Sequence, residues 1–285
     1  MNDSSEAVAE LQVTAGVVGL ARVMAGATSF KDSGIANLSD TYRGQILTEG
    51  GAFKTAILKD LPPRELANEV LAAGLAAMIG LPVPSAFIGI TAPHSSYASR
   101  SRLPDGTGLM FASVDVASPS VAQLIVAPSD REKWALLKPI VDVLMQQAWL
   151  GDLYGFDAWA ANVDRHVGNI LFGSGPNVWI IDHGRCFTGP AWVPADLVPA
   201  GNFRHRLKEW LTPFLEERQR KSLAVEASAL VTRLQRIDVS DVGIQNRVNG
   251  LLDEAAFNAL VAFLLERIAH VPRAAGNALN EPRLA

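Results

Sequence analysis

The sequence predicts an α+β fold in two lobes, strand-rich in front (residues 1–116) and helical behind (residues 117–285). Three observations predict it. Short apolar runs bounded by Gly and Pro fill the first half, and a Gly-Gly pair separates two of them. Beyond residue 130 the apolar residues recur at helical spacing instead. With 285 residues, 49% hydrophobic and only 19% charged, the chain has enough apolar surface for a large core.

Residues 20–24 read as a short strand, followed by the Gly/Ser/Thr-rich stretch 26–40. Residues 42–48 and 52–59 read as two strands, and the intervening Glu49-Gly50-Gly51 is a hairpin signal. Pro62-Pro63 opens a helix at Arg64, because proline is tolerated in a first turn; Gly80-Leu81-Pro82 stops it. Residues 85–91 and 109–116 are further strands around a loop or hairpin tip at 94–108. Residues 130–154 form one long helix by the spacing of Leu136, Leu137, Ile140, Val141, Leu144 and Trp149. A hairpin at 170–172 and 178–182, a proline-broken stretch at 189–199, and helices at 203–218, 222–235 and 254–270 complete the reading. The link between the lobes falls near residues 115–120.

A net charge of −4 provides no general attraction to nucleic acid or to an anionic membrane. Arg204, Arg206 and Lys208 read as a solvated helix face. The single cysteine, Cys186, allows no internal disulfide and fits a cytoplasmic protein, as does a polar N-terminus without secretory character. Cys186 itself reads as a small buried apolar residue. Residues 70–99 carry no Asp, Glu, Lys or Arg, but Gly80, Pro82, Pro84 and Pro93 would break a spanning helix. A buried helix followed by a buried strand is the reading there.

The informative segment is Asn162-Val163-Asp164-Arg165-His166-Val167-Gly168-Asn169, followed by Ile180-Ile181-Asp182-His183-Gly184. Phosphoryl transfer needs a carboxylate to orient the attacking hydroxyl and ligands that hold Mg²⁺ against the phosphates. Asp164 and Asn169 stand at the spacing of a kinase catalytic loop, the Asp as base and the Asn as metal ligand. Asp182, in Asp-His-Gly at the end of an apolar strand, takes the position of the second metal ligand. One Asn and one Asp suffice, because Mg²⁺ retains several waters. An isolated Asp-x4-Asn is usually a capped turn, and the joint pattern is what raises it above that reading. A metal hydrolase using His166 and His183 is the rival, but it lacks a recognised ligand spacing. His166 instead reads as the brace of the catalytic loop, and His183 as packing beneath the metal site.

Asn-Val-Asp-Arg ahead of Asn-Ile-Leu, and Val-Trp-Ile-Ile-Asp-His-Gly-Arg-Cys-Phe, resemble the catalytic and metal loops of the compact HipA-like kinases. The segment is also similar to the Asp-Arg-His-x-x-Asn loop of the phosphoinositide 3/4-kinases. The resemblance extends to Ala56-Ile57-Leu58-Lys59, and to Ala67-Asn68-Glu69-Val70 through Gly80-Leu81-Pro82-Val83-Pro84. It implies a protein-kinase-like fold, with ATP and Mg²⁺ as cofactors and Lys59 on the α- and β-phosphates, paired to Glu69. Lys54 is the competing lysine, but an odd separation along a strand puts it on the opposite face. No G-x-G-x-x-G loop is present; the phosphate cover is expected within 26–40, from Gly26, Thr28, Ser29, Ser33 and Gly34. Asp115, at the link, is expected beside the nucleotide. An activation segment is expected at 185–199, where Trp192 is a candidate for substrate contact. By the same resemblance, the large N-terminal portion of full-length HipA toxins is expected to have no counterpart here.

The expected activity is transfer of the γ-phosphate of ATP to a Ser or Thr of a protein, with an antitoxin or regulatory partner as a further expectation. A lipid or small-molecule kinase and a nucleotide-binding pseudokinase are the alternatives.

Overall fold

The computed structural model describes residues 16–30, 40–125, 129–173 and 177–281. Six strands make the first sheet: β1 (Gly19–Val23), β2 (Thr28–Ser29), β3 (Asp40–Thr48), β4 (Phe53–Asp60), β5 (Ala86–Pro93) and β6 (Thr107–Val114). Their order is β1-β5-β6-β4-β3-β2, and β1 also pairs with β3, so five strands close into a small barrel with β2 outside it. The β1–β5 contact is parallel, with Leu20 opposite Ile88; the other pairings are antiparallel.

Alternation along each strand divides the residues between the barrel interior and its outer face. Ala21, Val23, Ile46, Ala56, Leu58, Met110 and Ala112 form the interior. A barrel of five strands is too narrow for a stack of large side chains, hence the alanines. Gly44 meets the same limit, since a Cβ there would lie 2.9 Å from the Ala27 Cβ and 3.1 Å from a Leu58 methyl. On the alternate parity, Thr41, Arg43, Ile57, Lys59, Phe111 and Ser113 face outward toward a cleft.

Helix α1 (Pro63–Met78) starts on proline, as its sequence requires, and is almost wholly buried from Leu66 to Ala76. Gly80, at φ +85°, ends it, with the Leu81 N–H returning to the Ala76 carbonyl. The charge-free run 70–99 is thus this buried helix followed by β5.

The helical part consists of α2 (Val121–Leu124), α3 (Asp130–Leu144), α4 (Leu150–Trp159), α5 (Leu207–Trp210), α6 (Glu217–Leu234), α7 (Val239–Gln245), α8 (Glu254–Arg267) and α9 (Val271–Ala278). A two-stranded hairpin, β7 (Ile170–Phe172) with β8 (Val178–Ile180), stands at its edge. One apolar cluster runs from α1 and β5 through all the larger helices. α4 lies close to α6, where a Cβ on Gly155 would meet Leu230 at 2.9 Å and the Ala227 carbonyl at 3.1 Å.

The expected helix 130–154 is in fact two, α3 and α4. The Gln147 side chain donates to the Val143 carbonyl, taking an acceptor at the end of α3. The expected helix 203–218 reduces to α5 and one 3₁₀ turn, Thr212–Phe214, because Pro213 cannot donate to a continuing helix. α2, α7 and α9 are additional. Among the described residues, the run Glu254–Ala278 is apolar and long enough to cross a bilayer by length and composition. It bends at the turn Ile268–His270 and packs into the core on Phe257, Leu260, Phe263 and Leu264. Arg267 within it is buried, which lowers its pKa to about 10, and donates to the carbonyls of Ala158, Pro199 and Gly201.

Candidate active site

A cleft of about 1100 Å³ lies between the outer face of the barrel and the loops around β7 and β8. The chain crosses between the two walls at residues 115–120. There Phe172 N–H donates to the Pro119 carbonyl, and Ser120 bridges Leu171. Ile57, Val83, Phe111, Val116, Leu171 and Ile180 make this end of the cleft apolar. The other end is charged.

Lys59 reaches the charged end from β4. Its Nζ lies 2.6 Å from Glu69 Oε1 and 2.9 Å from Asp182 Oδ1. Burial works against the ammonium, but Asp182 and Glu69 together hold its pKa above the ordinary lysine value. Glu69 is only 1% exposed, and burial lifts its carboxyl against the pull of Lys59. Its second oxygen accepts the His183 N–H at 2.8 Å, so α1 holds both the lysine and the metal-loop backbone. Burial would raise the Asp182 carboxyl, yet the Lys59 charge and hydrogen bond outweigh it and hold it below the usual carboxylate range. The Asp182 side chain is 42% exposed in the open cleft, so water screens this pair. Asp182 itself has φ +63°, a left-handed backbone costing on the order of 1–3 kcal/mol that the surrounding bonds impose.

Asp164 faces Lys59 from the helical side. Asn162 Oδ1 accepts its N–H at 3.0 Å, and Asn169 Nδ2 donates to its carbonyl at 2.8 Å. That bond fixes the orientation of the Asn169 amide, which lines the cleft with Asp182. Arg185 Nε approaches one Asp164 oxygen at 3.5 Å and Arg206 approaches the other at 3.6 Å. His166 accepts the Gly168 N–H on Nδ1 at 2.9 Å, capping the 3₁₀ turn Val167–Asn169 that carries Asn169. Burial lowers the His166 pKa. His183 is buried edge-on to Phe156 at 6.1 Å between ring centres, and desolvation holds it well below the usual histidine pKa.

Beneath the loop is a buried ion pair. Arg165 and Asp157, each 0% exposed, meet with Nε 3.1 Å from Oδ2. The same guanidinium donates to the Ile181 carbonyl at 2.6 Å, directly before Asp182, tying catalytic loop to metal loop. Asn162 Nδ2 also bonds Asp157, at 2.9 Å.

The structure therefore brings together Lys59, Glu69, Asp164, His166, Asn169 and Asp182. Asp115 also lines the cleft, with its carboxylate held by Arg43 Nε at 2.6 Å and the Ala117 N–H at 2.8 Å. Gly26 and Ser29 do not line the cleft. β2 pairs along β3 outside the barrel, and the Gly26 N–H points to the Tyr97 hydroxyl at 3.2 Å. Phe30 and Thr41 occupy that wall instead. Ser33 and Gly34 lie outside the described residues. Trp192 is 3% exposed and donates to Asn68, so it is a packing residue with no open face for substrate. Arg206, read as solvated from sequence, points at Asp164. Cys186 is buried, and desolvation pushes its thiol pKa well up. Among the described residues, no three His, Cys, Asp or Glu side chains gather as a metal cage.

Sequence reasoning missed Asp157, Arg165, Asn68 and Glu65. For Asp157 the available signal was a carboxylate between the apolar neighbours Phe156 and Ala158, which requires a buried partner; Asn68 carried no such signal, since Arg64, Glu65 and Glu69 surround it on α1. Glu65 lies in the cleft one turn before Glu69; burial raises its pKa, while Lys59 opposes that.

No curated protein matches the chain. Among solved structures, the crystal structure of a Helicobacter pylori proinflammatory kinase, CtkA, aligns over 86% of this chain and 97% of that one, at 14% identity and a TM-score of 0.45. The family model described as HipA-like kinase matches residues 54–235, a span that holds the Lys59 strand, α1 and both loops. On that match over more than half its length, the chain belongs to the HipA-like kinase family.

Proposed function

We propose that this kinase transfers the γ-phosphate of ATP, with Mg²⁺, to a Ser or Thr hydroxyl of a protein, with the barrel and the helical part acting as two lobes around the nucleotide. The observation that carries the reading is convergence in one cleft. Lys59 stands within 2.9 Å of both Glu69 and Asp182, and Asp164 and Asn169 face it from the opposite wall.

The apolar end between Ile57 and Leu171 suits a flat purine, which places the triphosphate toward Lys59. The donor set suits Mg²⁺: a carboxylate held ionised by Lys59, and an amide fixed by its bond to the Asp164 carbonyl. Bound there, the ion would neutralise the phosphate oxygens. Lys59 adds a fixed positive charge on the barrel side. Asp164 orients the acceptor hydroxyl and takes its proton as the oxygen attacks the γ-phosphorus; the bond to the β-phosphate oxygen breaks and ADP leaves. Arg185 and Arg206, each near an Asp164 oxygen, set its direction and supply positive charge where the phosphoryl group passes. The protein acceptor is supported by family membership, not by a residue pattern in the cleft.

The test is transfer of label from γ-labelled ATP with Mg²⁺ into lysate protein, using wild type, Asp164→Ala and Asp182→Ala. Label in discrete protein bands with wild type alone supports the proposal. Label in lipid or metabolite fractions replaces the substrate class. An absence of ATP turnover by wild type refutes catalysis and leaves a nucleotide-binding module.

A further inference from the structure

Asn68, the residue before Glu69 on α1, is fully buried. Its Nδ2 lies 2.8 Å from the Gly184 carbonyl, 3.2 Å from that of Cys186 and 3.0 Å from that of Gly189. Its Oδ1 accepts Trp192 Nε1–H at 2.9 Å. One amide thus grips a stretch, residues 184–192, that begins two residues after Asp182. Arg64, one turn earlier on α1, lies over the Trp192 ring at 4.4 Å and donates to the Trp192 carbonyl at 2.7 Å.

The opposite edge of the same stretch is sewn to the catalytic side. Phe187 N–H donates to the Ala160 carbonyl at 2.6 Å and Thr188 N–H to that of Ala161 at 3.2 Å. The Arg185 carbonyl accepts the Val163 N–H at 3.3 Å, one residue before Asp164. The stretch needs such restraint. Phe187 and Thr188 have φ of +57° and +76°, which non-glycine residues keep only where their surroundings over-determine the backbone. It also aims a side chain at the chemistry, since Arg185 Nε lies 3.5 Å from an Asp164 oxygen.

We propose that Asn68 is a positioning residue that locks residues 184–192 between α1 and the catalytic loop, so that a buried amide, not phosphorylation, orders the segment after the metal loop. The catalytic part of this rests on the kinase reading above. The sequence is consistent with it: between Gly184 and Pro199 the only hydroxyl side chain is Thr188. A segment ordered by a phosphate needs a hydroxyl to carry it and a basic cluster to receive it.

The experiment combines hydrogen–deuterium exchange of the 184–192 amides with steady-state ATP turnover. Asn68→Leu keeps the branched outline of the side chain and removes both bonding functions. Asn68→Asp keeps an acceptor for Trp192 and turns the donor against three carbonyls. Both are expected to speed exchange at Phe187, Thr188 and Gly189 by about 10-fold or more. Both should lower kcat by about 10- to 100-fold with KM for ATP within about 3-fold, the effect of unpairing buried polar groups without touching the nucleotide wall. Trp192→Phe is expected to act in the same direction by less, and adding it to Asn68→Leu to cost nothing further. Thr188→Asn, which suits a left-handed backbone, should turn over within about 2-fold of wild type. Wild-type exchange and kcat in folded Asn68→Leu overturn the proposal, as does turnover that arises only after Thr188 is phosphorylated. If the Asn68 variants fail to fold, unchanged exchange in Trp192→Phe overturns it instead. If wild type does not turn over ATP, the kinase reading fails by itself, and the exchange measurement still decides whether Asn68 holds the segment.

Discussion

Replacing Asp157 with Asn tests the ion pair beneath the active site. The two partners are sealed from water, and the guanidinium faces the carboxylate through Nε at 3.1 Å and a terminal nitrogen at 3.2 Å. Burial disfavours the charged guanidinium, and Asp157 holds its pKa above the ordinary arginine value. Removing one charge strands the other, which costs about 3–5 kcal/mol for a buried pair. Against a total stability of roughly 5–15 kcal/mol, that is about a fifth of the margin or more. Urea unfolding followed by circular dichroism measures it. The companion double variant Asp157→Leu with Arg165→Met replaces the pair by apolar side chains, and should recover about half the loss or more. Its phosphotransfer should nevertheless stay low, because Arg165 also holds the Ile181 carbonyl next to Asp182. A stranded buried charge is refuted if Asp157→Asn lies within about 1 kcal/mol of wild type, the range of an exposed pair. It is equally refuted if the double variant is as unstable as the single one.

Lys59→Met should reduce label transfer by at least about 100-fold while the melting transition stays cooperative, since it removes a preorganised charge from the transition state. Gly44→Val should destabilise the barrel by about 1–3 kcal/mol in thermal unfolding, because its Cβ enters space held by Ala27 and Leu58. His205, stacked on Tyr154 with Nε2 3.1 Å from the Tyr154 carbonyl, has its pKa lowered by burial. The unfolded chain therefore takes a proton near pH 6.5 that the folded chain resists, so the His205 contribution is intact above that pH and declines below it. About 1 kcal/mol should be lost between pH 7 and 5.5 in urea titrations, and His205→Gln should remove that part of the dependence.

The loops that carry Asp164, Asn169 and Asp182 were legible because their geometry is local. One turn and one short hairpin, β7 with β8, separate the three residues, so sequence spacing fixes their distance in space. Lys59 and Glu69 were reached through the family resemblance, and the structure pairs them across a single strand-to-helix junction. The barrel closure was not. It depends on β1 pairing in parallel with β5, a contact between segments more than 60 residues apart for which neither strand carries a local signal. The split of α3 from α4 was hidden because apolar spacing continues through 145–149, while the N–H groups of Gln146 and Gln147 turn to the carbonyls three residues back and close α3. Trp192 was misread for its place in a proline-rich loop; its indole N–H instead finds a buried acceptor on α1.

The two carboxylates on Lys59 differ in a way that bears on how the site responds to ligand. Glu69 is 1% exposed and also fastened to the His183 N–H, so moving it would leave a buried backbone donor unpaired. Asp182 is 42% exposed, lines the cleft and has a left-handed backbone. The pair that yields is therefore Lys59–Asp182, and the pair that persists is Lys59–Glu69. On the proposed function, triphosphate oxygens would take the place of Asp182 on the ammonium and leave its carboxylate free to help hold a cation, while the Lys59–Glu69 pair on α1 stays in place. Because Asn68 and Glu69 are consecutive, the helix that keeps the lysine in place also keeps the segment bearing Arg185 in place. The barrel wall and the catalytic wall are then registered to each other by two adjacent side chains before any ligand arrives.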